Sequence, residues 1–512
     1  MKKVKKLNLE VDDTEKQINR AVDDPHGLAR SWLASLEGGA HGVRIVNHRE
    51  EFLRWDGDAY RELHSGDLRK QLAAHAARKF VIANKKDLKA WAERARKRAK
   101  PPVLKKVTTR LMGDVLQALG SECLLPAAIS PPTWISDAGD IDTERVAEDD
   151  PRMMLATPSG VINLRAAAAG EKQCRYAATP HFFTRAAVDY EYSATAKCPL
   201  WLTFLNQIFG VADAADDEKA EKANKAGKAS IRALRQWFGY LLTADTRQQK
   251  ILMLLGLPRA GKGTILRVLT ALIGKANVAS VRLEDLGSRF GLWPLRDKPV
   301  GAIADLRLSD RADRSAIVER LLSVSGEDAQ PVEEKFHTPF TAKLPTRFVI
   351  VSNEVPRLID ASAALASRLI IIRTATTFLG KEDTTLGDKL LTELPGILGW
   401  AIGGLSDLNT QGKFTQPSSA KEDIRSMRDM AAPVGAFLRD RCKLDLTAEI
   451  ETGELFDAYL AWCKTEGRKH TPTNEQFGRD LRANVAITSI QRRNKLTSVR
   501  NRYYVGVRLR PV

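Results

Sequence analysis

At 512 residues the chain is too long for one ordinary core, and roughly two to four domains are expected. Its 43% apolar and 28% charged content describes a soluble globular protein, and the longest strongly apolar run, ILMLLGL at 251–257, is far too short to span a bilayer. A net charge of +17 points to an anionic partner, most simply nucleic acid.

The start, MKKVKKLNLEVDD, is basic without a following apolar stretch, which predicts no secretory signal and a cytoplasmic protein. Cys123, Cys174, Cys198, Cys442 and Cys463 are widely spaced without a CxxC pair, so they read as reduced structural thiols rather than a zinc ribbon.

In chain order, residues 1–104 read as an accessory region, mostly helical and basic, around the aromatic stretch EFLRWDGDAYREL (51–63). Residues 85–110 carry eleven Lys/Arg against two acids, interrupted by Pro101-Pro102, which ends the basic helix. One basic helix reads first as solvated surface. Residues 486–512, with seven Arg/Lys and no acid, are a second such segment, and the pair favours phosphate contact.

Residues 105–245 form the next expected domain. GDIDTE (139–144) holds an Asp-x-Asp but no accompanying catalytic set, and reads as a turn. LATPSGVINL (155–164) reads as a hairpin around Pro-Ser-Gly. The Ala- and Lys-rich stretch 211–230 reads as an exposed helix or insertion.

Residues 246–410 form the third expected domain, and from 251 to about 380 short apolar runs alternate with helical stretches, the pattern of an α/β sheet wound with helices. Within it, GLPRAGKGT (256–264) has phosphate-loop spacing: Gly256, four residues, then Gly261 and Lys262. It lies between the strand candidate KILMLL and the helical TILRVLTALIG. Backbone N–H groups there would cradle phosphates while Lys262 reaches the terminal ones. Gly263 stands where a hydroxyl is expected and Thr264 follows one place late, so either Thr264 or water completes a Mg²⁺ shell. Alone, this loop suits a nucleotide kinase as well as a motor.

Three downstream positions extend the set. Asp305, after the apolar run from 298, is a strand-tip carboxylate for Mg²⁺ or the attacking water, against the plainer reading of a turn cap. Asn353, ending TRFVIVSN, is a candidate sensor of the γ-phosphate, although Asn before Glu-Val-Pro alone suggests turn chemistry. Arg368 leads into LIII and by itself would read as a surface ion pair. Between them, 323–346 is a Pro-punctuated, hairpin-like segment with Lys335, His337 and Lys343.

This ordered set resembles the superfamily 3 helicases of the phage and plasmid primase-helicase family, which includes the poxvirus replicative helicase-primase. GLPRAGKGT, Asp305, SGEDAQPVEEK with Lys335, VSN with Asn353, and SRLIII with Arg368 carry the resemblance. TPSGVINL, RQWFGYLLTADT and DKLLTELPGILGWAIGGL extend it over roughly 105–512. Gly263 and the lone Asp305 depart from the pattern.

The resemblance implies an AAA+-like α/β motor with a helical N-terminal region and a C-terminal winged-helix domain over 430–512. It implies a ring, usually a hexamer, with ATP and Mg²⁺ bound by Gly256, Gly261, Lys262, Gly263 and Thr264, and metal contacts from Thr264 and Asp305. Arg368 would act on the neighbouring subunit's site. Lys335, assisted by His337, would grip single-stranded or forked DNA in the channel. In the last domain, which reads as three helices followed by the strand NRYYVGVRLR, SIQRRNKL and NRYYVGVRLR could form a basic two-stranded wing, and Arg479, Arg482, Arg492 and Arg493 would contact DNA.

The implied activity is 3′→5′ helicase action in replication of a phage or mobile element, in a bacterial host's cytoplasm. Any priming chemistry would belong to a separate primase chain. An ATP-binding initiator scaffold and a nucleotide kinase are the rival readings.

Overall fold

The computed structural model describes residues 22–37, 44–94, 100–137, 139–212, 218–304, 312–335, 339–354, 363–431, 433–467, 472–493 and 500–510, with single positions at 306, 308 and 309. No helix among the described residues is long and apolar enough to cross a membrane.

The N-terminal region is mostly helical, as its polarity led us to expect, but it also carries a small sheet that its sequence does not announce. It begins with helix α1 (Pro25–Glu37) and strands β1 (Ile45–His48), β2 (Glu51–Trp55) and β3 (Tyr60–Glu62). Helices α2 (Ser65–Arg94) and α3 (Thr109–Glu122) and strand β4 (Leu124–Leu125) complete it. The strands form one sheet in the order β3-β2-β1-β4. Arg49 and Glu50 make the tight β1–β2 turn with φ of 52° and 67°. Two positive φ values suit a primed hairpin turn, but the usual Asn-Gly signal is missing, which hides the hairpin in the sequence.

Leu28 and Trp32 of α1, Leu68, Leu72 and Phe80 of α2, and Met112, Val115 and Leu119 of α3 share one core. The packed unit therefore runs past residue 104, and α3 belongs with the preceding helices rather than with the next domain.

A small β layer follows. Strands β5 (Thr133–Trp134) and β9 (Phe182–Phe183) pair, and β6 (Met154–Thr157), β7 (Gly160–Asn163) and β8 (Arg175–Tyr176) form a three-stranded sheet. The expected hairpin at Pro-Ser-Gly is present, with Thr157 opposite Gly160. In GDIDTE, Asp142 caps helix α4 (Thr143–Glu148) by accepting from Arg145 N at 3.0 Å. Helix α5 (Leu164–Ala169) closes the layer.

Helices α6 (Pro199–Phe209) and α7 (Glu218–Leu241) lead into the central sheet. Residues 218–230 of the low-complexity stretch are the mostly exposed beginning of α7, residues 213–217 lying outside the described set, whereas Trp237, Phe238, Tyr240 and Leu241 at its end are core. Hydrophobic residues recur on one side only in the second half, so the first half reads as an insertion when taken alone.

The central sheet contains β10 (Ile251–Leu255), β11 (Val278–Ser280), β12 (Val300–Ile303), β15 (Arg347–Ser352) and β16 (Leu369–Arg373), all parallel, in the order β11-β12-β15-β10-β16. Helices α8 (Lys262–Ile273), α9 (Arg314–Ser325) and α10 (Ala363–Arg368) connect them, and a hairpin of β13 (Gln330–Val332) and β14 (Phe340–Ala342) projects between β12 and β15. Every residue of β10 is buried. Leu252 and Leu254 face one core while Ile251, Met253 and Leu255 face the other, as expected for a strand covered on both faces.

Helices α11 (Leu386–Leu391), α12 (Leu394–Gln411) and α13 (Ala420–Ala431) follow. Trp201 of α6, Phe238 of α7 and Trp400 of α12 stack in one aromatic cluster behind the sheet. An ion-pair ring ties the layers together. Arg185 bridges Glu51 at 3.0 Å and Asp297 at 2.7 Å, and Arg296 reaches the same Glu51 at 2.8 Å.

The C-terminal module has the three expected helices and the expected pairing of the SIQRR stretch with the last strand, but adds a strand at 442–451 not expected from the sequence. It runs α14 (Pro433–Arg441), β17 (Cys442–Glu451), α15 (Thr452–Thr465), α16 (Asn474–Asn484), β18 (Thr488–Arg493) and β19 (Arg500–Leu509). Its sheet order is β17-β19-β18. CKLDLTAEIE becomes a strand because β19, some fifty residues later, supplies its ladder partners. Neither Leu444 nor Leu446 on it is buried, so its period is weak in the sequence. The five cysteines are unpaired, and burial pushes the Cys198 and Cys442 thiols up to about 11.

Candidate active site

The loop after β10 turns on two glycines that no other residue replaces easily. Gly256 has φ +155°, and a Cβ there would lie 1.8 Å from Thr374 Oγ1, just past β16. Gly261 has φ +79°, and its Cβ would press to 3.0 Å from Ile208 and Phe204 of α6. Gly261 is the N-cap of α8, so Lys262 begins the helix and the first amides of α8 face the loop.

Lys262 is 6% exposed, and its ammonium donates to Gly256 O and Leu257 O at 2.7 Å each and to Asn353 Oδ1 at 3.0 Å. Burial lowers its pKa, with no carboxylate among its hydrogen-bond partners to oppose the shift. Asn353 arrives by strand register. Leu255 stands opposite Ser352, so the next residue on β15 is level with the start of the loop. The structure thus joins Lys262 and Asn353, ninety-one residues apart in sequence.

Around them lies a cavity of about 850 Å³. Lys262, Gly263 and Thr264 form its floor, α6 contributes Leu200, Phe204 and Gln207, and the segment after β16 contributes Phe378, Lys381 and Glu382. That segment is stitched to the loop: Phe378 N donates to Arg259 O at 3.0 Å and Thr377 Oγ1 to Pro258 O at 2.8 Å. Arg259, Arg267 and Lys381 join Lys262 on the walls, against Glu382 and Asp383. A cation-rich cleft at a helix N-terminus, on the carboxyl edge of a parallel sheet, fits a polyphosphate.

Neither the α6 wall nor the 378–387 wall carries a nucleotide-binding motif, so the sequence did not place them at the cleft. The only available signal was the strong apolar periodicity of PLWLTFLNQIF.

Gly263 faces open space, since nothing lies within 4 Å of a Cβ there. Asp305 lies outside the described residues. β12, which ends at Ile303 beside Ile350 of β15, delivers the chain toward the same sheet edge. His337 also lies outside them. Lys335 is described and exposed, in the turn after β13. That hairpin leans on the body of the sheet domain through Phe340, which stacks edge-on with Trp293 and lies 5.5 Å under the Arg296 guanidinium.

Arg368 is not near Lys262. It immediately precedes β16, whose first residue Leu369 pairs with Ile251, so it occupies the amino edge of the sheet while Lys262 lies beyond the carboxyl edge. The intervening strand is about 16 Å long. Its guanidinium donates to Leu322 O and to Ser325 Oγ, the latter at 2.9 Å.

In the C-terminal module Arg479 and Arg482 are exposed on α16, whose buried residues are Phe477, Gly478 and Leu481. A Thr473–Gln476 capping box fixes that helix's start. Arg492 is in an ion pair with Glu449 at 2.6 Å. Arg493 ends β18, and its side chain lies outside the described set.

Comparison with known proteins divides along the same lines. Residues 29–210 match the D5 N-terminal-like family, residues 431–507 the poxvirus D5 protein-like family, and residues 254–368 a family of unknown function, DUF5906. Among solved structures, the apo NrS-1 C-terminal region (305–718) is similar at 12% identity and a TM-score of 0.50, covering 94% of this chain and 99% of that one. An A-form apo structure of the same region has the same identity and coverage at 0.49. At this identity the likeness to the first is one of fold: a mixed α/β chain with a parallel sheet flanked by helices.

Proposed function

This chain belongs to the D5-like primase-helicase family of phages and poxviruses, and from that premise we propose that it is an ATP-driven, ring-forming DNA helicase of superfamily 3. The observation that carries the reading is the Lys262 ammonium, held between two loop carbonyls and the Asn353 amide at the mouth of a cation-lined cleft.

The residues present fit a nucleoside triphosphate. The ammonium is desolvated and held only by neutral acceptors, so exchanging carbonyl partners for phosphate oxygens strengthens its interactions. Loop amides and the start of α8 supply further donors. Apolar Leu200, Phe204 and Phe378 suit a base, and Gln207 supplies an edge for hydrogen bonding. Asn353, released from Lys262, would orient a water toward the γ-phosphate. Mg²⁺ entering with the triphosphate supplies charge neutralisation, with Thr264 and Asp305 as the candidate protein ligands.

The distance between Arg368 and the cleft of its own chain supports action on a neighbouring subunit's nucleotide, and hence a ring, as a hexamer. Lys335 on the β13–β14 hairpin, with His337, would hold one DNA strand by its phosphates in a sequence-independent way. The order helix, strand, helix, helix, strand, strand of the last module supports a winged-helix reading, with Arg479, Arg482, Arg492 and Arg493 toward DNA. Priming would fall to a separate chain.

The test is ATP hydrolysis with and without single-stranded DNA, together with unwinding of oppositely tailed duplexes. DNA-stimulated hydrolysis with 3′→5′ unwinding is expected. ATP binding with negligible turnover would make the chain an initiator scaffold, and phosphorylation of a free nucleotide would make it a kinase.

A further inference from the structure

Helix α2 is two helices in character. Its first half is anchored by Leu68, Leu72, His75, Ala76 and Phe80, whereas none of residues 81–94 is buried. The second half is about 21 Å of helix with little hydrophobic reason to exist. Val81 and Ile82 remain 53% and 70% exposed.

Its composition is strongly one-signed. Arg78, Lys79, Lys85, Lys86, Lys89 and Arg94 are all exposed, against Asp87 and Glu93. Among the described residues no ion pair engages any of these six cations, although Glu122, Asp23 and Asp58 elsewhere in the region are paired. At 100° per residue, Arg78, Lys85 and Lys89 fall within about 40° of arc, a line about 16 Å long with Lys86 beside it. Asn84 and Trp91 point to the opposite side.

That opposite side is braced. Asn84 accepts from Lys105 N at 2.9 Å and donates to Lys105 O at 3.0 Å, fastening the extended 100–107 segment along the helix. Lys105 is tied in turn to Asp23 at 2.9 Å. The brace leaves the cationic side open and adds exposed Lys106 to the arm.

We infer that the outer half of α2 is a sequence-independent docking arm for duplex DNA, separate from both the β13–β14 hairpin and the C-terminal module. A straight, braced helix suits a stiff duplex, which presents one negative charge per roughly 1.7 Å of axis and a major groove about as wide as a helix. The arm requires no nucleotide, so the inference stands or falls independently of ATP turnover.

The test uses the full chain carrying K85Q, K86Q and K89Q together. None of these side chains makes a described contact, and a thermal melt checks folding. Binding of a short blunt duplex is measured without nucleotide across a salt series. We expect duplex affinity to fall about ten-fold or more, and the log–log salt slope to become shallower by roughly 2–3. Arginine at the same three positions should restore both, and binding of single-stranded DNA should change less. Unchanged duplex affinity and slope in a folded triple variant overturn the inference. So does a surface that captures vesicles of one part phosphatidylserine to three parts phosphatidylcholine in preference to duplex, or failure of the arginine triple to restore binding.

Discussion

Asn353 Oδ1 accepts from Lys262 Nζ at 3.0 Å, joining the first residue of α8 to the tip of the neighbouring strand. On the proposed reading, the contact makes Asn353 the gauge of whether the ammonium is free for a phosphate. N353D should hold Lys262 in an ion pair and weaken binding of a non-hydrolysable ATP analogue. N353A should bind the analogue within a few-fold of the parent while turnover falls on the order of 10²-fold. Fluorescent-analogue titration alongside steady-state hydrolysis separates the two. Equal binding by N353D and the parent would remove Asn353 from the site.

Gly263 and Gly261 should respond oppositely to substitution. With open space at its Cβ and a place in the first turn of α8, G263S is expected to keep or raise stability by about 0.5 kcal/mol. If its hydroxyl enters the metal shell, half-maximal hydrolysis will need less Mg²⁺, and T264V in that background will be tolerated. G261A should cost about 1–3 kcal/mol, because φ is +79° and Phe204 and Ile208 crowd the Cβ. Thermal melts with Mg²⁺ titrations decide both points.

Arg368 and Lys262 stand at opposite edges of one sheet, so their defects should complement between chains. K262A and R368A proteins are each expected to be inactive, and their mixture to regain a measurable fraction of hydrolysis. R368A also frees the Leu322 carbonyl and Ser325 hydroxyl, so a loss of about 1–3 kcal/mol in stability is expected and must be measured first. A mixture of folded variants that stays inactive would refute action across subunits.

His48 makes stability depend on pH. It is 2% exposed, and its Nε2–H donates to Ile129 O at 2.8 Å. Burial, aided by the Arg49 charge, lowers its pKa from 6.5 to about 4, although the Ile129 carbonyl opposes the shift. Between those values the unfolded chain binds the additional proton. Stability from this group is therefore full above about pH 6.5 and is lost as pH falls toward 4, by on the order of 2–3 kcal/mol. Unfolding midpoints from pH 7.5 to 5 should show the decline, and H48Q should flatten it.

The sequence determined the local conformation of the loop and the order of the elements around it. Gly256, Gly261 and Lys262 are local in sequence, and a buried parallel strand must be an unbroken apolar run, so KILMLL and FVIV were legible. The Pro-Ser-Gly hairpin was legible because its turn residues are its cause. Tertiary structure decided what depends on register and distant partners. It set Asn353 against Lys262, built the far walls of the cleft from α6 and 378–387, and put Arg368 at the opposite edge of the sheet. It also decided the strands at 45–62 and 442–451. The first has a hairpin turn without glycine or asparagine, and the second is a ladder completed only by β19. The ladder of the first is local, but its burial comes from distant Leu125, Ile135 and Phe183, and the ladder partners of the second lie some fifty residues away, so no local window contains what stabilises either.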